Sequence, residues 1–264
     1  TSFVLMTVRI SMEMFYGRAL TFWYPSYILS AFDAYPGSFN MISYTTFTTL
    51  KSLASMIGTF SGLPAILWFA QSWYHAAGPF HGREGNPRAY PIVVSIGTVV
   101  YATMVIASVL LLVESSIASL VATFLTGVGS AAIISLNQQM VLMVVPSSSR
   151  AAAVALSRLF SGIVSTPSAQ LIGVITDAIR GDSMLPCNRY HAYQMGLLFT
   201  SAVMIAVFVC NLVIIMYFPR DCEFVEEREK EEKTAENEHS PLFETGKGRE
   251  SRYSNQLSNE DHPQ

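Results

Sequence analysis

Charged residues are scarce in this sequence: Asp, Glu, Lys and Arg together make up 13% of its 264 residues, whereas hydrophobic residues make up 51%. Soluble domains carry about twice that share of charged residues, so the composition excludes an ordinary soluble domain and indicates a membrane protein. The formal net charge is −3, which provides no basic surface for nucleic acid. We therefore expect membrane lipids as neighbours and no nucleic-acid partner.

Cysteine is scarce too, and Cys187, Cys210 and Cys222 lie in very different surroundings. They form no C-x-x-C pair and no Cys/His spacing suited to zinc, so the sequence indicates neither a metal site nor a disulfide framework. It also contains no G-x-S-x-G, P-loop or H-E-x-x-H motif and no paired carboxylates in its apolar part. We expect no catalytic residues, no cofactor and no metal, and hence no enzyme.

Six long apolar segments account for most of the chain. About 20 mostly apolar residues cross the roughly 30 Å hydrocarbon layer as a helix, and a helix satisfies its own backbone hydrogen bonds there. The segments lie near residues 3–32, 42–71, 91–113, 116–145, 150–176 and 192–218. This pattern predicts an all-α membrane protein with six transmembrane helices.

The composition changes abruptly after Pro219, where a polar, acidic stretch begins. Glu and Lys at i,i+4 spacing in EEREKEEK, residues 226–233, favour an extension of the last helix, and the remaining residues are too polar to bury a core. We therefore predict a transmembrane domain over residues 1–219 and an acidic, largely disordered cytoplasmic tail over residues 220–264.

The loops indicate the orientation. His75–Tyr90 carries Arg83 and Arg88, whereas Asp33–Asn40 has no Lys or Arg. By the positive-inside rule the first of these loops is cytoplasmic, and with six spans both chain ends lie on that side as well. Two arginines in the loop Asp177–His191, on the opposite side, go against the rule.

Several short motifs occur in one order along the chain, each at a predicted helix boundary. They are SFVL followed by Trp23-x-Pro25, the spacing from Phe47 to Gly58, NPRAYP at Asn86–Pro91, and VVP followed by Arg150 and Ala153. In this order they resemble the seventh, eighth, ninth and eleventh helices of the Spinster family of the major facilitator superfamily. The chain is thus similar to the C-terminal half of that family's fold.

The resemblance implies twelve helices in two six-helix halves, with a central site and alternating access, so the N-terminal half of the same protein would be a partner. It also implies a lipid-like substrate, such as a lysophospholipid or sphingoid phosphate, and a plasma-membrane or endolysosomal location. The run Ser161–Asp177 lacks the His and Gly-Asp of that family's eleventh helix. It looks more like other facilitators, including organic anion transporters.

Two basic residues stand out inside the apolar segments. A charge near the bilayer centre costs at least about 2.5 kcal/mol and survives mainly in a bundle interior, beside a partner or in a cavity. Arg18 has no acidic residue at i±3 or i±4, and Lys51 lies in the second segment. Facing one cavity, the two would attract an anionic head group, which Arg can bind bidentately. The alternatives are snorkelling to the interface or pairing with acids of the other half.

Four further residues are candidates. Arg9 and Glu13, four residues apart, are predicted to form a structural ion pair. Trp23 is a candidate contact for the tail of an amphipathic substrate, with a helix contact or an interfacial position as the alternative. Asn137, near the apolar centre of the fourth segment, is a candidate polar contact inside the bundle.

Together these features predict a secondary active transporter of an amphipathic lipid-like or organic anion, working by alternating access. The alternative is a non-transporting receptor or scaffold, or a truncated inactive half, that acts through its cytoplasmic tail.

Overall fold

The computed structural model describes residues 2–39, 42–82, 84–183 and 185–239. In these ranges the chain forms α-helices joined by short loops and three single-turn 3-10 helices. The α-helices are α1 (Ser2–Ala34), α2 (Tyr44–Tyr74), α3 (Ala89–Leu110), α4 (Ser116–Met143), α5 (Arg150–Ser165), α6 (Ser168–Arg180) and α7 (Pro186–His239).

Five helical regions of the described residues are long and apolar enough to cross a membrane: Tyr44–Phe80, Ala89–Leu110, Ser116–Met143, Ser147–Arg180 and Pro186–Ala235. They correspond to five of the six predicted segments. Helix α1 coincides with the remaining segment and is 33 residues long, but it is not among the five. Its apolar stretch is interrupted by Arg9, Glu13 and Arg18.

The fifth predicted segment is two helices rather than one. Helix α5 ends at Ser165 and α6 begins at Ser168, because Pro167 has no N–H to donate to the carbonyl of Ile163. That carbonyl accepts from the N–H of Thr166 instead, at 3.3 Å. Hydroxyl groups accompany the break: Thr166 Oγ1 donates to the Gly162 carbonyl at 2.8 Å, and Ser168 Oγ donates to that of Ser165 at 2.7 Å.

Glycines allow α4 to pack closely against both α2 and α3. A Cβ on Gly58 of α2 would collide with the carbonyl oxygen of Phe124, and one on Gly129 would lie 2.7 Å from the backbone nitrogen of Tyr101. Small residues at helix contacts let backbones approach in this way. The G-x-x-x-G pair Gly58 and Gly62 therefore faces α4.

Many large apolar side chains are exposed. Phe60 is 70% exposed, Ile117 74%, Val174 68% and Met216 70%. Apolar surface of this extent is typical of a protein that contacts lipid or further transmembrane helices.

The contacts divide the chain into two units, Thr1–Cys222 and Glu223–Gln264. Of the second unit, residues 223–239 form the last part of α7, in agreement with the Glu and Lys spacing of EEREKEEK. Residues 240–264 lie outside the described residues, so the predicted disorder there, like the domain boundary at residue 219, stays a prediction.

Candidate functional site

Two clefts open between the helices of the first unit. The larger, about 640 Å³, lies among α1, α3, α4 and α5 and is here called the arginine cleft. The smaller, about 430 Å³, lies among α1, α2, α3 and α4 and is called the lysine cleft. The polar residues that line the arginine cleft are Glu13, Arg18, Tyr101, Ser130, Asn137, Gln138, Ser157, Arg158 and Ser161.

Arg18 lines the arginine cleft from α1. Its side chain is exposed, and its Nη1 donates one long hydrogen bond, 3.4 Å, to the carbonyl oxygen of Gly162 on α5. A guanidinium group has five N–H donors. Arg18 thus keeps most of its donors available toward the cleft.

Arg158 lines the same cleft from α5 and was not nominated from the sequence. It is also exposed, and its Nη2 lies 3.5 Å from Oε1 of Gln138 on α4. Its position in the sequence could have identified it, because a charge inside the fifth apolar segment is unusual. The structure therefore brings two lightly bonded guanidinium groups, from two helices, to one cleft.

Arg9 and Glu13 lie at the centre of a buried polar network. Arg9 is 0% exposed, and its Nε lies 3.6 Å from Oε1 of Glu13. Its Nη1 donates to Oδ1 of Asn211 on α7 at 2.8 Å, and its Nη2 donates to Oδ1 of Asn137. Asn211 in turn donates to Thr98 Oγ1 at 3.1 Å. The pair is thus enclosed by three other helices.

Asn137 connects this network to the arginine cleft. Its Nδ2 donates to Oε2 of Glu13 at 2.8 Å, while its Oδ1 accepts from Arg9. Both ends of the amide are therefore engaged by protein groups, although Asn137 and Glu13 both line the cleft.

Lys51 lines the lysine cleft, not the arginine cleft. Its side chain is 3% exposed, and its ammonium group donates to the hydroxyl of Tyr24. Among the described residues, Arg18 and Lys51 thus line different clefts, and the hypothesis that they face one cavity is not supported. Tyr101 of α3 lines both clefts.

Trp23 packs where α1 meets α6 and α7. Its Nε1 donates to the carbonyl oxygen of Ala169 at 2.6 Å, and its ring lies 5.6 Å from that of Tyr193. Gly173 leaves the room for this ring. In the part of the chain that the structure describes, Trp23 lines neither of the two clefts.

Within the described ranges, His, Cys, Asp and Glu form no group of three or more that could hold a metal ion.

Comparison with known families identifies the chain. The family model for the Major Facilitator Superfamily matches residues 76–256, which is more than half of the sequence. The chain belongs to the major facilitator superfamily. No curated protein matches it.

Membership agrees with the helices described above. Proteins of the major facilitator superfamily are typically transporters rather than enzymes, and the matched range includes four of the five regions able to cross a membrane. The chain is thus a multi-pass integral membrane protein of a transporter family.

Proposed function

We propose that this chain is the Spinster-like, six-helix C-terminal half of a transporter that moves an amphipathic anion by alternating access. In this proposal α1 also crosses the membrane, which brings the number of transmembrane helices from the five described above to six. The anionic head group binds in the arginine cleft. The substrate is lipid-like, such as a lysophospholipid or sphingoid phosphate, or another organic anion. The observation that supports it best is the pair Arg18 and Arg158 in one cleft.

The chemistry of the two arginines favours an anion. Guanidinium groups bind carboxylate and phosphate oxygens bidentately, and among the described residues each of these two donates a single long hydrogen bond. The one carboxylate that lines the cleft, on Glu13, already faces the buried Arg9. No other carboxylate among the described residues that line the cleft balances Arg18 and Arg158.

The rest of the cleft suits an apolar tail. Its apolar lining comes from Ile10, Met14, Ile133, Ile134, Val141 and Val154. A volume of about 640 Å³ lies within the range of small-molecule sites, and such sites combine apolar walls with a few polar groups. A ligand with one charged end and an apolar body would satisfy both kinds of surface.

Further features fit a transporter half. A helix interrupted inside the membrane, such as α5–α6 at Thr166 and Pro167, is common at transporter sites. The proposal requires the N-terminal six-helix half as partner, because a central site between halves needs both. Asn137 is proposed to contribute as a polar group that lines the arginine cleft, and Trp23 by packing α1 against α6. Lys51 lines the other cleft and is assigned no contact with the head group. We propose the plasma or endolysosomal membrane as its location.

Flux measurements test this proposal. Uptake and efflux of a panel of anionic lipids and organic anions would be compared in cells that express the complete two-half transporter, either unaltered or with Arg18→Ala, Arg18→Lys or Arg88→Ala, at equal abundance in the membrane. Arg88 is an exposed arginine that lines neither cleft, so it is the matched control.

We expect flux of at least one anion to fall in Arg18→Ala, to recover partly in Arg18→Lys and to persist in Arg88→Ala. Equal flux in all variants would contradict a role for Arg18. Absence of flux from the unaltered protein would favour the receptor or scaffold alternative.

A further inference from the structure

Lys51 is a buried cation whose contacts with described residues include no acidic group. Its side chain is 3% exposed in the first third of α2, and no salt bridge to it is found among the described residues. An ammonium group in an apolar bundle carries a large desolvation cost unless an opposite charge or several dipoles offset it.

Among the described residues, only neutral groups contact Lys51. Lys51 Nζ donates to the Tyr24 hydroxyl and lies 4.6 Å from the centre of the Tyr24 ring and 5.6 Å from that of Phe47. Tyr24 is itself fixed by a 2.8 Å hydrogen bond to Ser108. Contacts with aromatic rings hold the ammonium group in place, but they leave its unit charge unbalanced.

Hydroxyl groups surround the same cleft. Thr48, Ser52, Ser55, Thr123 and Thr126 line it together with Lys51. Most of these hydroxyls donate to a carbonyl of their own helix, and a hydroxyl can rotate to a new acceptor at the cost of that local bond. Ser55 Oγ donates no hydrogen bond within the described residues and can turn to a ligand freely.

We propose that the lysine cleft binds a small monovalent anion, such as a halide or a short carboxylate, with Lys51 as the charged ligand and Ser55 as a hydroxyl donor. The anion balances the buried ammonium charge. This site is separate from the arginine cleft, so it does not depend on the proposed substrate.

The donor set accounts for this ligand class. Lysine offers one compact charge, whereas phosphate recognition favours the planar, bidentate fork of arginine. The lysine cleft has one cation and otherwise neutral donors among its lining residues, so a single negative charge balances it and a dianion does not. A halide or acetate needs only the ammonium group and one or two hydroxyls.

Thermal stability of the purified protein in lipid nanodiscs tests the site. Sodium bromide or sodium acetate would replace sodium gluconate at constant ionic strength, and Tm would be followed against anion concentration. A ligand that binds only the folded state raises Tm in a saturable way. We expect this rise for the unaltered protein, and a loss of bromide affinity of at least about tenfold in Lys51→Met.

Two further variants and a crystal soak test whether bromide binds at Lys51. Arg88→Gln must keep the bromide effect, because Arg88 is exposed and lines neither cleft. Ser55→Ala is expected to weaken bromide binding. Because it keeps the buried charge of Lys51, it tests the site even if Lys51→Met does not fold. Crystals soaked in bromide are expected to show an anomalous peak in contact with Lys51 Nζ.

No saturable rise with either anion, a rise unaffected by Lys51→Met and Ser55→Ala, or a bromide peak only elsewhere would overturn the proposal. A bromide site at Lys51 in a protein without flux would keep this proposal and reject the transport function instead.

Discussion

Arg9 and Glu13 form an ion pair inside the protein, one turn apart on α1, with Nε 3.6 Å from Oε1. Their other polar atoms bind Asn211 on α7 and Asn137 on α4, so the pair connects three helices. A pair in this position fixes how α1 is rotated in the bundle. That rotation places Arg18 on the arginine cleft.

Replacing one member of the Arg9–Glu13 pair should lower the stability of the protein far more than replacing both. Arg9→Met or Glu13→Met leaves an uncompensated buried charge, which costs about 3–5 kcal/mol, whereas the double variant leaves none. Thermal unfolding in detergent would measure this. A double variant no more stable than the worse single variant would mean that the pair is not the source of the effect.

A methyl group should be tolerated at one glycine of the bundle and not at another. A Cβ on Gly17 meets nothing within 4 Å, whereas one on Gly58 would collide with the backbone of α4. Gly58→Ala should lower stability by about 1–3 kcal/mol, while Gly17→Ala should leave it unchanged or raise it by about 1 kcal/mol. Equal Tm values for the two variants would contradict the close α2–α4 contact.

Trp23 should act mainly through helix packing. Trp23→Phe removes the hydrogen bond to Ala169 and keeps an aromatic ring, so a loss of about 1 kcal/mol in stability is expected. Affinity for an anionic lipid should not change. The opposite result, weaker binding at unchanged stability, would make Trp23 a substrate contact.

Arg158 should contribute to anion binding together with Arg18. Arg158→Gln is expected to weaken binding of a phosphate-headed lipid by about tenfold, the value of one charge-assisted hydrogen bond, and Arg158→Lys should recover part of it. The double variant with Arg18→Gln tests whether the effects are coupled, as shared contact with one head group requires. Strictly additive losses would argue for separate sites.

The helices were largely predictable from the sequence, because apolar length alone identifies a span. The break at Pro167 was not, since Pro25, Pro64 and Pro219 lie within helices that continue through them. Whether a proline ends a helix depends on the neighbours that satisfy the freed backbone groups. Those neighbours come from other parts of the chain.

The candidate site was predictable only in part. Arg18 and Lys51 were recognised as unusual charges, but their separation into two clefts depends on how α1 and α2 are rotated, which hydropathy does not encode. Likewise the spacing of Arg9 and Glu13 indicated a pair, whereas Asn211 lies 202 residues from Arg9 along the chain. Contacts of that separation follow from packing, not from local sequence.

Equilibrium binding of two lipids that differ only in the head group tests whether the arginine cleft binds an anionic head group. Oleoyl lysophosphatidate and mono-oleoylglycerol would be titrated into the purified protein and into Arg18→Gln. We expect the unaltered protein to bind the phosphate lipid at least about tenfold more tightly than mono-oleoylglycerol. Arg18→Gln should lose that preference while its binding of mono-oleoylglycerol stays unchanged. The same preference in both proteins would mean that Arg18 does not bind the anionic head group.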